Sequence, residues 1–249
     1  MVEERLEIAM PEGECDAVLY RSDDGRRHPG ILYLTDIVGI REASRGMARR
    51  LAGEGYTVLV PNVFYRTGRP PVFGADFRRG DERFVQRMGE LTAPLTPEAM
   101  ERDGAAYVDL LAGNDAAAPG PMGVVGFCFS GAVALRTAAA RPQRIAAVAS
   151  FHGGRLLVEG PASPHLLLPR IRARLYFGHA TGDRSMPQEA IEKFEQALAA
   201  WGGRYESEVY QGASHGWTVP DSPVYHEPLA ERAFQKLTQL LRETLPPTA

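Results

Sequence analysis

The stretch Gly123-Val124-Val125-Gly126-Phe127-Cys128-Phe129-Ser130-Gly131 reads as an apolar strand that meets a cysteine and passes without a loop into an alanine-rich helical segment. So abrupt a change from strand to helix requires a sharp turn whose central side chain stands exposed at the end of a parallel sheet. The residues two positions either side must be small, because neighbouring backbone comes close there. Gly126 and Ser130 meet that need. By itself Cys128 fits two descriptions equally well, a reactive thiol on such a turn or a small buried hydrophobe at the end of a core strand.

Residues further along favour the first description. The apolar run Leu175-Tyr176-Phe177-Gly178 leads to Gly182-Asp183, and the alternating run Tyr205 to Tyr210 leads to Ala213-Ser214-His215-Gly216. Nucleophile, acid and base therefore follow one another in the order used by the α/β-hydrolase scaffold, unlike the orders of the chymotrypsin and subtilisin types. In that arrangement Cys128 is the nucleophile. His215 takes or shares its proton and later protonates the leaving group, while Asp183 holds the imidazole tautomer and steadies the imidazolium. The working nucleophile is a thiolate, and the start of the helix after Cys128 favours an anion. A tetrahedral oxyanion needs two preorganised donors. The Phe129 N–H, directly after the nucleophile, supplies one; the loop Thr35-Asp36-Ile37-Val38-Gly39 after the strand Ile31–Leu34 supplies the other, with Ile37 best placed. The same loop sets the carboxylate of Asp36 at the end of a core strand.

Strand patterns also fall at Leu6–Ala9, Ala17–Tyr20, Thr57–Val60 and Ile145–Ser150, and helical patterns at about Ala43–Ala52, Pro97–Ala112, Gly131–Ala140, Pro187–Ala200 and Glu227–Thr244. Alternation of this kind implies crossover connections, hence a mostly parallel sheet with helices on both faces. The first two strands have only Pro11-Glu12-Gly13-Glu14-Cys15 between them and so form an antiparallel N-terminal edge. Residues 65 to 95 lack a strand signal and carry six arginines, Arg66, Arg69, Arg78, Arg79, Arg83 and Arg87. Connections this long are uncommon unless functional, so the segment reads as a partly helical insertion beside the active-site mouth. Trp217, two residues past His215, is a candidate pocket wall with Tyr65, Phe127 and Phe129; His152, past the strand that follows the elbow, is a candidate pocket residue.

The 249 residues suit one domain, 1–249, with no linker or internal repeat to divide it. A net charge of −3 with mixed signs gives no electrostatic case for nucleic acid or an anionic membrane surface, which leaves a small molecule as partner. The charged start Met1-Val2-Glu3-Glu4-Arg5 and the absence of any long apolar run predict a cytoplasmic protein, a monomer or small homo-oligomer. Cys15 and Cys128 lie far apart and suggest no disulfide framework; Cys15 has no base nearby and reads as structural. The histidine and cysteine spacing offers no metal site, and no cofactor is expected.

The pieces Leu34-Thr35-Asp36-Ile37-Val38-Gly39, Val60-Pro61-Asn62-Val63-Phe64-Tyr65-Arg66, Gly126-Phe127-Cys128-Phe129-Ser130-Gly131, Gly182-Asp183 and Ser214-His215-Gly216 together resemble the dienelactone hydrolases, in order and over nearly the whole length. The resemblance implies a single α/β-hydrolase domain that cleaves small esters or lactones without a cofactor. The triad would be Cys128, His215 and Asp183, passing through a covalent acyl-enzyme, with Ile37 and Phe129 as oxyanion donors. It further implies that an acidic side chain in the first loop, here Asp36 where glutamate is usual, bonds the resting thiol and switches it to thiolate. Two other positions depart from the family pattern: Ser130-Gly131 replaces a double glycine, and Val219 stands where an arginine holds the substrate carboxylate. Arg66 or Arg78 of the insertion could supply another clamp. A thioesterase or carboxylesterase on the same scaffold, or a non-enzymatic ligand-binding module, are the alternative readings.

Overall fold

The computed structural model describes residues 1–74, 77–78 and 80–245. Its eight strands are β1 (Val2–Met10), β2 (Gly13–Arg21), β3 (Gly30–Leu34), β4 (Thr57–Pro61), β5 (Met122–Phe127), β6 (Ile145–Phe151), β7 (Arg174–Ala180) and β8 (Tyr205–Tyr210). They form one sheet in the order β1-β2-β4-β3-β5-β6-β7-β8. The hairpin β1–β2 is antiparallel and joins β4 antiparallel, and every pairing from β4 through β3 to β8 is parallel. The antiparallel edge and the parallel body are those expected from the helix-free link between the first two strands. The helices are α1 (Glu42–Gly53), α2 (Glu82–Thr92), α3 (Pro97–Gly113), α4 (Ser130–Ala140), α5 (Gln188–Trp201) and α6 (Glu227–Thr244), with a 3-10 turn at Pro164–Arg170. None of the described helices is long and apolar enough to cross a membrane.

Alternation along the strands sorts the core into two layers. Leu32, Leu34, Val124, Val148, Leu175 and Phe177 pack with α3, α4 and α5 on one face. Ile31, Tyr33, Val125, Phe127, Phe151 and Tyr176 pack with α1 and α6 on the other. Helix ends follow local chemistry. Thr96 caps α3 by accepting the Ala99 N–H at 3.2 Å, with Pro97 in the first turn, and Gly202 closes α5 at φ 70°.

The segment 65–95 contains helix α2. Its aromatic anchor is Phe73, stacked on Phe84 at 4.5 Å and edge-on to Phe77 at 5.4 Å. Two of its arginines are bound back to the sheet edge and α3: Arg66 to Glu12 and to Asp103 of α3, Arg69 to Glu7, Glu14 and Asp16. Arg79 lies outside the described residues.

His179 on β7 is buried against Phe177 and Phe194, and neither ring nitrogen has a hydrogen-bond partner among the described residues. Burial pushes this imidazole down to about 4. The unfolded chain protonates it near its ordinary 6.5. The stabilisation from keeping it neutral is therefore complete above pH 6.5 and is lost as pH falls toward 4, of order 3 kcal/mol in all. Urea titrations of wild type and His179→Phe at pH 7 and pH 4.5 should show a much smaller acid loss in the variant. Equal losses would mean that other groups carry the acid sensitivity.

Candidate active site

Cys128 joins β5 to α4 at φ 61°, a left-handed conformation that a side chain rarely adopts. The turn is as tight as its sequence predicts: a Cβ on Gly126 would stand 2.2 Å from the Ser130 carbonyl oxygen. Gly131 is equally constrained, because a Cβ there would meet the Ser150 hydroxyl at 2.2 Å. Ser130 does more than stay small. Its buried hydroxyl accepts the Phe127 N–H at 2.8 Å and lies 2.9 Å from the Leu34 carbonyl, to which it donates; Phe127's own carbonyl, at 2.8 Å, is the alternative acceptor. One side chain thus links the end of β5 to the end of β3, where the loop containing Ile37 begins.

The three residues predicted as a triad come together. The Cys128 Sγ is 3.1 Å from His215 Nε2, and His215 Nδ1 is 2.6 Å from Asp183 Oδ2. The other carboxylate oxygen of Asp183 accepts from the Ser185 N–H at 2.8 Å and the Ser185 hydroxyl at 2.7 Å. Burial works against the charged carboxylate, and the bonds from His215 and Ser185 outweigh it, holding Asp183 below its usual range. Burial likewise opposes charge on His215, but its bonds to Asp183 and Cys128, with their charges, push it up to about 10. Ser185 was not singled out by sequence reasoning. The signal was an Asp-x-Ser spacing in a turn, which lets the carboxylate accept from the N–H two residues on.

Ile37 and Phe129 border the same cavity as Cys128 and His215, and neither backbone N–H has a partner among the described residues. The Asp36–Gly39 turn, closed by the Gly39 N–H on the Asp36 carbonyl at 3.0 Å, holds Ile37 at its bend.

Asp36 itself departs from expectation. Its carboxylate is held by both terminal nitrogens of Arg41, at 2.7 and 2.9 Å, and by the Val38 N–H at 3.0 Å, while the hydrogen-bonding partner of the Cys128 thiol is His215. Arg41 also grips Asp221 at 2.6 and 2.8 Å, so Asp36 braces the loop and is not bonded to the thiol.

The pocket candidates are corrected as well. Tyr65 donates to Asp103 at 3.3 Å, and Arg66 is engaged by Asp103 at 2.6 and 2.9 Å and by Glu12; both hold the insertion to α3 and neither borders the cavity. Arg78 is exposed and also outside its lining. Phe127 faces the opposite layer, 5.0 Å from Tyr33. Trp217 is fully buried, with its ring 5.2 Å from His152 and 4.9 Å from Tyr210, so it backs the site from within the core. His152 is buried behind the elbow at φ 41°. Its Nδ1 accepts the Cys128 N–H at 3.1 Å, which makes Nε2 the protonated nitrogen donating to the Thr218 hydroxyl at 2.8 Å. Burial, and then the charge of His215, keep His152 well below its ordinary pKa, hence neutral.

The cavity above Cys128 measures about 810 Å³. Its arginines are Arg136, paired with Glu101 at 3.2 Å, and Arg155, whose guanidinium has no ion pair or hydrogen bond among the described residues. Arg155 stands at φ 56° on a ledge pinned by its N–H to the Ser185 carbonyl at 2.9 Å, next to Gly154, whose N–H bonds the Cys128 carbonyl at 3.2 Å. Sequence reasoning looked for an arginine beside the site in the insertion and did not single out Arg155.

Sheet order, elbow and the acid and base loops beyond β7 and β8 define an α/β-hydrolase fold. Comparison with known proteins agrees: the Dienelactone hydrolase family model matches residues 15–245. The chain belongs to the dienelactone hydrolase family, a family of hydrolases. It is 32% identical over 210 residues to the carboxymethylenebutenolidase of Rhodococcus opacus, covering 82% of this chain and 78% of that one. In structure it is similar to a Klebsiella pneumoniae protein assigned as a dienelactone hydrolase, with a TM-score of 0.85 at 23% identity over 97% of this chain and 98% of the other. It is also similar to the dienelactone hydrolase of Anabaena variabilis, at 0.71 and 19% over 98% of each chain.

The hydroxyl bridge carries a stability consequence. Ser130→Ala leaves the Phe127 N–H and the Leu34 carbonyl without that partner, and urea unfolding should register a loss of about 1–3 kcal/mol. A loss within error of zero would mean that water or relaxed backbone replaces the hydroxyl.

Proposed function

We propose that the protein hydrolyses carboxylic esters or lactones through Cys128, His215 and Asp183. The observation that supports this most is the continuous relay from Sγ through the imidazole to the carboxylate, at 3.1 and 2.6 Å, ending beside two unengaged backbone N–H groups. In the first half-reaction the Cys128 sulfur, its proton passed to His215 Nε2, forms a bond to the carbonyl carbon, and the carbonyl π pair moves to oxygen. The Ile37 and Phe129 N–H groups receive that oxyanion. Its collapse breaks the bond to the alkoxy oxygen, which takes the proton from His215 Nε2 and leaves as the alcohol; a thioester remains on Cys128. In the second half, water gives a proton to His215 as it attacks the thioester. The oxyanion forms again, and the carboxylic acid departs as the C–S bond breaks. Asp183, held by Ser185, keeps Nδ1 protonated and the ring oriented through both halves. No step calls for a metal or a cofactor.

Arg155 is the proposed contact for a negatively charged substituent on the substrate, in place of Arg66 and Arg78. It is the cation on the cavity lip without a counter-ion, and the lining includes no carboxylate side chain, among the described residues. In Arg155→Gln the ratio of kcat/KM for an acidic ester over a neutral ester of the same size should fall about tenfold, through KM. A ratio that stays put removes Arg155 from recognition.

The hydrolase reading is tested with para-nitrophenyl acetate. Wild type should give a burst of nitrophenol and an acetyl adduct that mass spectrometry maps to Cys128. Cys128→Ala, still folded by circular dichroism, should lose both. His215→Gln should fall by about a hundredfold or more in kcat. Undiminished turnover in Cys128→Ala would overturn the reading.

A further inference from the structure

We infer that the natural substrate carries a bulky apolar group, seated along α2, and is not a compact lactone; the inference rests on the hydrolase reading above. The cavity that begins at Cys128 holds about 810 Å³. That is within the range of roughly 300–1,000 Å³ typical of sites that enclose drug-sized molecules, and about five times the roughly 150 Å³ that suffices for benzene. Away from Cys128 its walls are apolar: Val85 and Met88 of α2, Leu95, Met100 of α3, Val158 and Pro164. Two methionines among them make a surface that adapts to different apolar shapes.

Helix α2 forms part of the cavity wall. Its apolar side chains gather on one face, yet only Leu91 is fully buried. Val85 is 53% exposed and borders the cavity together with Met88, Gly89 and Thr92. An amphipathic helix ordinarily buries its apolar face against its own core; here part of that face forms the wall opposite the nucleophile. An apolar acyl or alkoxy group reaching from the ester carbonyl at Cys128 would cover it. Charge agrees with this occupant. His215 lies at the Cys128 end, Arg155 is exposed at the lip, Arg136 among the remaining walls is paired with Glu101 and donates to the Ala162 carbonyl, and no acidic side chain among the described residues lines the cavity.

The test uses two series of esters: para-nitrophenyl acetate to octanoate, which lengthens the acyl group, and ethyl to octyl acetate, which lengthens the alcohol. Each methylene buried against such walls contributes up to about fourfold in kcat/KM. At least one series should rise tenfold or more from its shortest to its longest member. Val85→Asp, a change at an exposed position, should cut that rise to threefold or less, and Met88→Asp should do the same. Turnover of the short esters with flat or falling series would overturn the inference while the hydrolase reading stands. No turnover and no adduct on Cys128 with any ester would overturn the hydrolase reading, and this inference with it. Flat series together with a dimer in sedimentation, dissociated by Val85→Asp, would assign the α2 face to a second copy of the chain and likewise overturn it.

Discussion

The site depends on one strained residue. Cys128 sits in a left-handed backbone conformation at the junction of β5 and α4, and several independent contacts hold it there. Its N–H is shared by the Phe151 carbonyl and His152 Nδ1, each at 3.1 Å; its carbonyl accepts from Gly131 and Gly154. The Ser130 hydroxyl fixes the strand just before it. Such strain, of order 1–3 kcal/mol, persists only where surrounding structure over-determines it. Here it directs Sγ at His215 and leaves the next N–H, that of Phe129, unengaged.

Two histidines within 5.1 Å of each other are driven in opposite directions by their surroundings. His215 lies between a carboxylate and a thiol and is pushed up to about 10; His152, enclosed and facing His215, is kept neutral. Neutrality matters for position, because only an unprotonated Nδ1 can accept the Cys128 N–H. Behind His152, Trp217 fills the core and the Thr218 hydroxyl accepts the hydrogen bond from Nε2–H. A core that looks merely packed thereby fixes the tautomer of the imidazole supporting Cys128.

Elements whose pattern is local were legible in the sequence. The strands at Ile31–Leu34 and Val124–Phe127 and the helices after them appear within a residue or two of their expected bounds, because apolar alternation and turn residues set them directly. That Cys128, Asp183 and His215 meet was legible because each follows a strand at the same edge. Contacts between distant residues were not. The partners of Arg66 are Glu12 and Asp103, and Arg41 is shared between Asp36 and Asp221; pairing of this kind depends on which loops meet across the sheet. That is why Asp36 looked like a thiol switch and Arg66 like a substrate clamp. Trp217 and His152 were placed at the correct edge, but sequence could not say whether a side chain there points outward or into the core. Arg155 follows two glycines in a loop with no periodicity to mark it.

We propose that the turn makes Cys128 a nucleophile with His215 as its partner, whereas Cys15 is packing: fully buried, bonded to the Asn62 carbonyl at 3.4 Å, its thiol pushed up to about 11 by burial. Both cysteines are free, so one reagent compares them within one molecule. Iodoacetamide labelling at neutral pH, mapped by mass spectrometry over time, is the most direct measurement. Cys128 should label rapidly, Cys15 not until the chain is unfolded, and the Cys128 rate should be at least tenfold lower in His215→Gln. Slow labelling of Cys128 in the native protein, or a rate indifferent to His215, would contradict it.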